Sequence, residues 1–376
     1  MKKLLALVMT VALVALCFAG CGKGNAGGGY TSENTEFVIG GTGPLTGDAS
    51  SYGISVQEGA KLAIKEINAA GGLNGVKFKL DMKDDKATAA DAATGYDTLF
   101  EAGMQASIGA VTSGSADSFA SKAVEDNVFF MTPSASAANV IEDRPNAFRV
   151  CFGDPDQGVL AAEELSKKFK KIGAIYDTSD PYSSGIYEAF EKEMKKLGTK
   201  FDTQTFDAEN KKDFTTQVEA LKDCDVIFLP IYYTEAGFIA KTATAKECGA
   251  VLFGCDGLDG IADQIDSSVK NTVKYITPFD VNSTSEKTHK FVEEYEKEYN
   301  KAPDQFAADG YDAIMVIYEA MKKADVKDVK ISASDLCDIL VETITKDFKY
   351  SGATGEMTWD DSGACAKAPQ IVELKF

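Results

Sequence analysis

The segment from Glu36 to Asp85, EFVIGGTGPLTGDASSYGISVQEGAKLAIKEINAAGGLNGVKFKLDMKDD, constrains the fold more than any other part of the chain. Phe37, Val38 and Ile39 form a short β-rich run that stops in a glycine-dense loop. Apolar residues at Ile54, Ala60, Ile64 and Ile67 then keep a helical period until Gly71 and Gly72 close it, and a second strand begins at Val76. Strand, glycine-rich turn, helix and strand make one βαβ unit. In a parallel sheet built from such units a ligand sits at the carboxyl ends of the strands, beside the turn.

The alternation continues down the chain. Strands are predicted over 106–111, 127–131, 147–150, 172–176, 201–206, 225–231, 250–254 and 273–277. Helices between them keep apolar faces at Ile186, Phe190, Met194 and Leu197, at Phe214, Val218 and Leu221, and at Val292, Tyr295 and Tyr299. Short apolar strands alternating with amphipathic helices give an α/β fold of open parallel sheets covered on both faces. A chain of 376 residues is too long for one core, so two domains are expected. The rhythm breaks at Val150–Gly158 (VCFGDPDQG), where the chain passes into a second, similar lobe, and Pro278–Asn282 reads as the return. Helices over 306–322 and 334–345 follow, then a β-rich tail over 348–376.

The first twenty residues stand outside that fold. Lys2 and Lys3 precede an apolar run from Leu4 to Leu16 and the small-residue sequence Phe18-Ala19-Gly20-Cys21, the pattern of an export signal. The run is too short, and too soon followed by Gly and Asn, for a transmembrane helix. Its ending resembles a bacterial lipobox, with Phe18 where an aliphatic residue is usual, and implies Cys21 as a lipid-carrying first residue of the mature protein; the alternative is a plain secretory signal. Residues 21–35 would form a flexible, Gly-rich tether, leaving the protein lipid-anchored on the outer face of the cell membrane.

With 39 Lys and Arg against 58 Asp and Glu, the formal charge of −19 excludes nucleic acid as a partner, since phosphate binding needs a concentrated basic surface. Cys17 leaves with the signal. Cys151, Cys224, Cys248, Cys255, Cys337 and Cys365 remain without a CxxC pair; six cysteines allow 15 pairings, so buried thiols and one or two bridges both stay open. His289 is the only histidine and no metal-ligand spacing occurs, so neither metal nor cofactor is expected.

Two segments offer chemistry for an anion. Ile108-Gly-Ala-Val-Thr-Ser113-Gly-Ser115 and Phe129-Phe-Met-Thr-Pro-Ser134-Ala135-Ser136 are both strands running into small hydroxyl residues. Neighbouring parallel strands ending this way present hydroxyls and backbone N–H groups together at helix N-termini, where a carboxylate is favoured; each hydroxyl alone is equally at home as a helix cap. Val251-Leu-Phe-Gly-Cys-Asp256-Gly257 ends a later strand in an acidic turn, which serves either as a loop aspartate or as an acceptor for a cation. Asp84 and Asp85, adjacent on an extended chain, point apart and read as turn and cap residues. His289 reads as a surface residue and Trp359 as a packing residue in a terminal hairpin.

From Glu36 onward the chain resembles the type I periplasmic binding proteins of ABC importers, specifically the branched-chain amino-acid (Leu/Ile/Val) binding family. The resemblance rests on GPLTGDASSYGISVQEGAKLAIKEINAAGGLNG, the IGAVTSGSADS and FFMTPSASA pair, YDTSDPYSSG and the terminal GEMTWDDSG. It implies two Rossmann-like lobes with parallel sheets joined by a three-crossover hinge, with lobe 1 over 36–152 plus 281–354 and lobe 2 over 153–280 plus 355–376. It implies a ligand in the interlobe cleft, held at its carboxylate by Ser113, at both ends by Ser134, Ala135 and Ser136, at its ammonium by Asp256, and around its side chain by Tyr52, Tyr182 and Tyr232. The function so implied is capture of an amino acid, branched-chain or other apolar, by a monomer that delivers it to a permease and ATPase complex. A sensory receptor of the same fold, or one for urea, an amide or a purine nucleoside, is the alternative. An enzyme is the weakest reading, because no nucleophile–base constellation or GxSxG is present.

Overall fold

The computed structural model describes residues 34–374; the predicted export signal, Cys21 and most of the predicted tether lie outside the described residues. The chain opens with β1 (Phe37–Gly43), α1 (Ser50–Ala69) and β2 (Phe78–Asp84). β2 starts two residues later than the sequence suggests. Asn74 and Gly75 both take positive φ, and Leu73 and Val76 exchange backbone hydrogen bonds across them, so Val76 is spent on a tight turn. Val56, Ala60, Ala63 and Ile67 form the buried face of α1, whereas Ile54 is exposed.

Then come α2 (Ala89–Glu101), β3 (Ala106–Ser107), α3 (Ser113–Glu125), β4 (Phe129–Thr132) and β5 (Ala147–Arg149). The five strands form one fully parallel sheet in the order β2-β1-β3-β4-β5. β3 is much shorter than the predicted 106–111. Gly109 takes φ +65°, and its N–H donates to Ser107 Oγ at 2.7 Å, so the chain leaves the ladder and runs on to α3.

The second lobe begins at α4 (Asp154–Lys168), inside the predicted break, and continues through β6 (Ile172–Asp177), α5 (Pro181–Lys196), β7 (Asp202–Phe206), α6 (Thr215–Ala220), β8 (Val226–Leu229), α7 (Tyr233–Ala245), β9 (Val251–Gly254) and β10 (Val273–Thr277). These five strands are parallel; α4 and α5 pack together on the sheet face where Leu165, Ile186, Phe190 and Phe228 share a core. The chain then returns to the first lobe with α8 (Glu286–Tyr299), α9 (Gln305–Lys323) and α10 (Ala333–Thr345). α9 lies along α1 so closely that Gly59 meets the Ala307 carbonyl and Gly310 meets the backbone of Val56.

The tail forms β11 (Lys349–Gly352), β12 (Gly355–Trp359), β13 (Cys365–Ala366) and β14 (Gln370–Glu373). β11, β12 and β13 make a small antiparallel sheet. Asp312 on α9 accepts the N–H groups of Ala353 and Thr354 at 2.9 Å, and Trp359 Nε1 donates to Arg149 O at 2.7 Å. The sheet is therefore fastened to the first lobe, and the expected boundary at 354/355 falls within its hairpin. The tail joins the second lobe only at β14, antiparallel to β10. The side chain of Lys367, on that last crossing, is fully buried and paired with Asp309 of α9 at 3.1 Å. All six cysteines among the described residues are unpaired thiols, five of them buried. His289 is exposed beside Glu293, and Asp84 binds the Leu45 and Lys86 N–H groups as a turn residue.

Candidate functional site

Both sheets turn the carboxyl ends of their parallel strands toward the interlobe cleft, and the loops after β1, β3, β4, β6, β8 and β9 meet there. The space they leave is narrow, a cavity of ≈ 20 Å³, about the room a water needs. Six of the predicted residues line it: Tyr52, Ser113, Ser134, Tyr182, Tyr232 and Asp256. Ala135 and Ser136 are buried behind the wall and do not line it. Val111, Thr112, Gly257 and Phe306 complete the lining, and none of these four was singled out from sequence.

The first-lobe wall is two loops stapled together. Thr132 Oγ1 donates to Ala110 O at 2.8 Å and accepts the Ala135 N–H at 2.9 Å, while Ser134 Oγ donates to Val111 O at 2.8 Å. Ser113 Oγ accepts the Ala137 N–H at 3.2 Å, which leaves its own proton for an acceptor in the cleft. Neither serine caps a helix. Ser113 is the first residue of α3, whose N-terminal N–H groups and dipole favour an anion at this wall. Ser134 has spent its proton, so it meets a ligand as an acceptor or not at all.

The second-lobe wall centres on Asp256, in the turn after β9 and 2% exposed. Its Oδ1 accepts the Tyr182 hydroxyl at 2.8 Å, and its N–H donates to Gln157 Oε1 at 3.1 Å. The Gly257 N–H donates to the same tyrosine oxygen at 2.8 Å. Burial pushes the Asp256 carboxyl up to about 6, against the opposing pull of the Tyr182 and Gln157 hydrogen bonds. Tyr232 stacks on Tyr182 with ring centroids 4.9 Å apart, its hydroxyl without a partner among the described residues.

Tyr52 joins the walls. From the first lobe its hydroxyl donates to Gly257 O at 2.5 Å and accepts the Tyr233 N–H at 3.1 Å, both in the second lobe. Its ring packs on Phe306, 4.2 Å between centroids. The Thr234 hydroxyl adds a bond to Asp48 O at 2.9 Å on the exposed rim. The lobes are thus closed on one another, with acceptor and donor groups buried between them.

Two parallel-sheet lobes, three chain crossings and a small cavity between them are matched by the profile of the family described as periplasmic binding protein, over residues 36–367. The chain belongs to that family. Among solved periplasmic binding proteins, the leucine-binding protein LivK of Thermotoga maritima superposes with a TM-score of 0.80 at 26% identity, covering 89% of this chain and 94% of that one. The branched-chain amino-acid transporter substrate-binding protein LivJ of Streptococcus pneumoniae, in complex with isoleucine, gives 0.76 at 27% identity, covering 90% and 100%. The Leu/Ile/Val-binding protein BraC3 of Rhizobium johnstonii is 30% identical over 230 residues, 60% of this chain and 62% of its own length. These relatives are solute-binding proteins and not enzymes.

Proposed function

We propose that this periplasmic binding protein captures an α-amino acid, branched-chain or other apolar, in its interlobe cleft outside the cytoplasm and delivers it to an ABC permease. The observation that carries this reading is the division of polar groups about one cavity. Ser113 and the α3 N-terminus, suited to a carboxylate, stand on one lobe, and Asp256, suited to an ammonium, stands on the other. The aromatic rings of Tyr52, Tyr182, Tyr232 and Phe306 between them suit an apolar side chain. The leucine and isoleucine of the relatives' names support the branched-chain class.

Ligand capture acts through closure. A ligand favours the closed state only as far as it binds that state better, and turning an open-to-closed ratio of 99:1 into 1:99 takes about 5.5 kcal/mol of difference. Two desolvated charge-assisted contacts with buried apolar area are of that order. A carboxylate at 256 left without a cation discriminates against urea, amides and nucleosides. The lipid on Cys21 belongs to the same proposal and would keep the receptor beside its permease.

A thermal-shift panel of amino acids, amides and nucleosides tests the reading. A true ligand at a hundredfold excess over Kd stabilises by about 2.7 kcal/mol. Leucine, isoleucine or valine should raise the melting temperature, and Asp256→Ala should abolish that response. A response to uncharged solutes alone, or one that Asp256→Ala leaves intact, overturns the proposal.

A further inference from the structure

The three chain crossings enclose a second cavity, of ≈ 340 Å³, beside the hinge. Phe152 comes from the first crossing, Ile276 from the strand that leads into the second, and Cys365, Ala366 and Pro369 from the third. Leu160 of α4 completes an apolar wall. Apolar room of about 300–1,000 Å³ where two lobes join is the usual setting of a small-molecule site. The wall belongs to both lobes. Phe152 and Ile276 lie in the second-lobe core with Leu160 packed against it, whereas Cys365 pairs with Trp359 in the small sheet fastened to the first lobe. Two charged residues line the cavity. Lys367 is committed, its ammonium donating to Asp309 and Thr354. Asp156, in the first turn of α4, is exposed, and its carboxylate has no hydrogen-bond or ion-pair partner among the described residues. The next residue, Gln157, also lines the cavity and accepts the Asp256 N–H at 3.1 Å, so one turn of α4 serves both the hinge cavity and the acid of the cleft.

We propose that this cavity is a second binding site, for a small hydrophobic amine whose hydrocarbon body fills the apolar wall and whose ammonium pairs with Asp156. The site is separate from the interlobe cleft and stands whatever solute the cleft takes. Apolar burial supplies most of the affinity, and an ion pair at an exposed carboxylate adds no more than about fivefold. Because the cavity is walled from both lobes of the closed protein, an occupant binds that state better than one in which the lobes have swung apart, and so favours closure. By linkage it tightens the solute in the cleft, and that solute tightens it by the same factor.

Methyl NMR of the full chain, titrated with 2-phenylethylamine and with its uncharged analogue 2-phenylethanol, tests the site. The amine should shift the methyl signals of Leu160 and Ile276 to saturation, and the alcohol should bind about three- to fivefold more weakly at low salt. Asp156→Asn should bring the amine down to the affinity of the alcohol. Leu160→Trp, which fills the cavity, should leave the Ile276 signal unmoved by either. Methyls of Leu160 and Ile276 that do not respond in wild type overturn the inference, as does an Asp156→Asn protein that keeps wild-type affinity for the amine. Isothermal titration with L-leucine then reads the coupling, and saturating amine should tighten leucine about fivefold or more. Unchanged or weakened leucine affinity overturns the inference, the second because the amine then competes for the cleft. A wild type that binds no leucine refutes the amino-acid reading, and the methyl shifts alone then decide the hinge site.

Discussion

Tyr52→Phe isolates the contribution of closure to affinity. The tyrosine hydroxyl is the donor to Gly257 O and the acceptor for the Tyr233 N–H, both across the cleft and both buried. In an open protein those two backbone groups face water and lose nothing when the hydroxyl is removed. In the closed protein each is left unpaired, at about 1–3 kcal/mol for a buried group. Taking about 1–1.5 kcal/mol for each, near the bottom of that range, closure weakens by about 2–3 kcal/mol, which is roughly 30- to 150-fold in the apparent Kd when the closed form is the minor one. The phenyl ring keeps its contact with Phe306, so the apolar wall stays in place. Thr234→Ala, which removes an interlobe bond on the exposed rim, should cost less than about 1 kcal/mol and under tenfold. Titration with leucine gives the affinities, and small-angle scattering of the unliganded and liganded protein gives the closed fraction. A Tyr52→Phe protein with wild-type affinity and wild-type compaction would refute the argument that these two bonds favour closure.

Gly59→Ala, normally worth about 0.5–1 kcal/mol of added stability within a helix, should instead destabilise, because the new methyl would overlap the Ala307 carbonyl on α9; a urea midpoint above wild type would contradict that packing. Lys367→Met leaves Asp309 buried without its cation and should cost about 3–5 kcal/mol, part of it recovered in the double variant with Asp309→Leu; calorimetric melting of the three proteins checks the order. Burial raises the carboxyls of Asp85, Asp180 and Asp256 to about 6 and those of Asp259 and Asp309 to about 7 in the folded state. Groups raised above their unfolded values of about 3.9 contribute stability that is present at acid pH and lost as the pH climbs through 6 and 7. The unliganded protein should therefore melt higher at pH 5 than at pH 8, while the increment given by leucine, which needs Asp256 ionised, should grow over the same interval. Parallel movement of the two quantities would disprove the linkage.

Much of this was legible in the sequence because strand ends announce themselves. Ser113, Ser134, Tyr182, Tyr232 and Asp256 each follow an apolar run within a few residues, and a parallel sheet delivers such positions to one edge. Phe306 carries no such mark. It sits on α9, an ordinary amphipathic helix, and reaches the cleft only because α9 returns to lie along α1 after the chain has built the five parallel strands of the second lobe. Ser136 shows the opposite failure, a hydroxyl in the right loop but set behind the wall. The tail reaches the second lobe later than the expected 354/355 boundary because of the β11–β12 hairpin, whose allegiance to the first lobe depends on Asp312 and Arg149, contacts that no local pattern encodes.

The interleaving of the two lobes has a consequence for how the protein is made. While a ribosome is still extending the chain, the first lobe lacks α9 to cover α1 until the five parallel strands of the second lobe are made, and the second lobe lacks β14 until α8, α9 and α10 are made. Each half is completed only by segments that follow the start of the other. The same wiring makes the two halves depend on each other for their closing pieces, so neither is a continuous block of sequence that could be cut out whole.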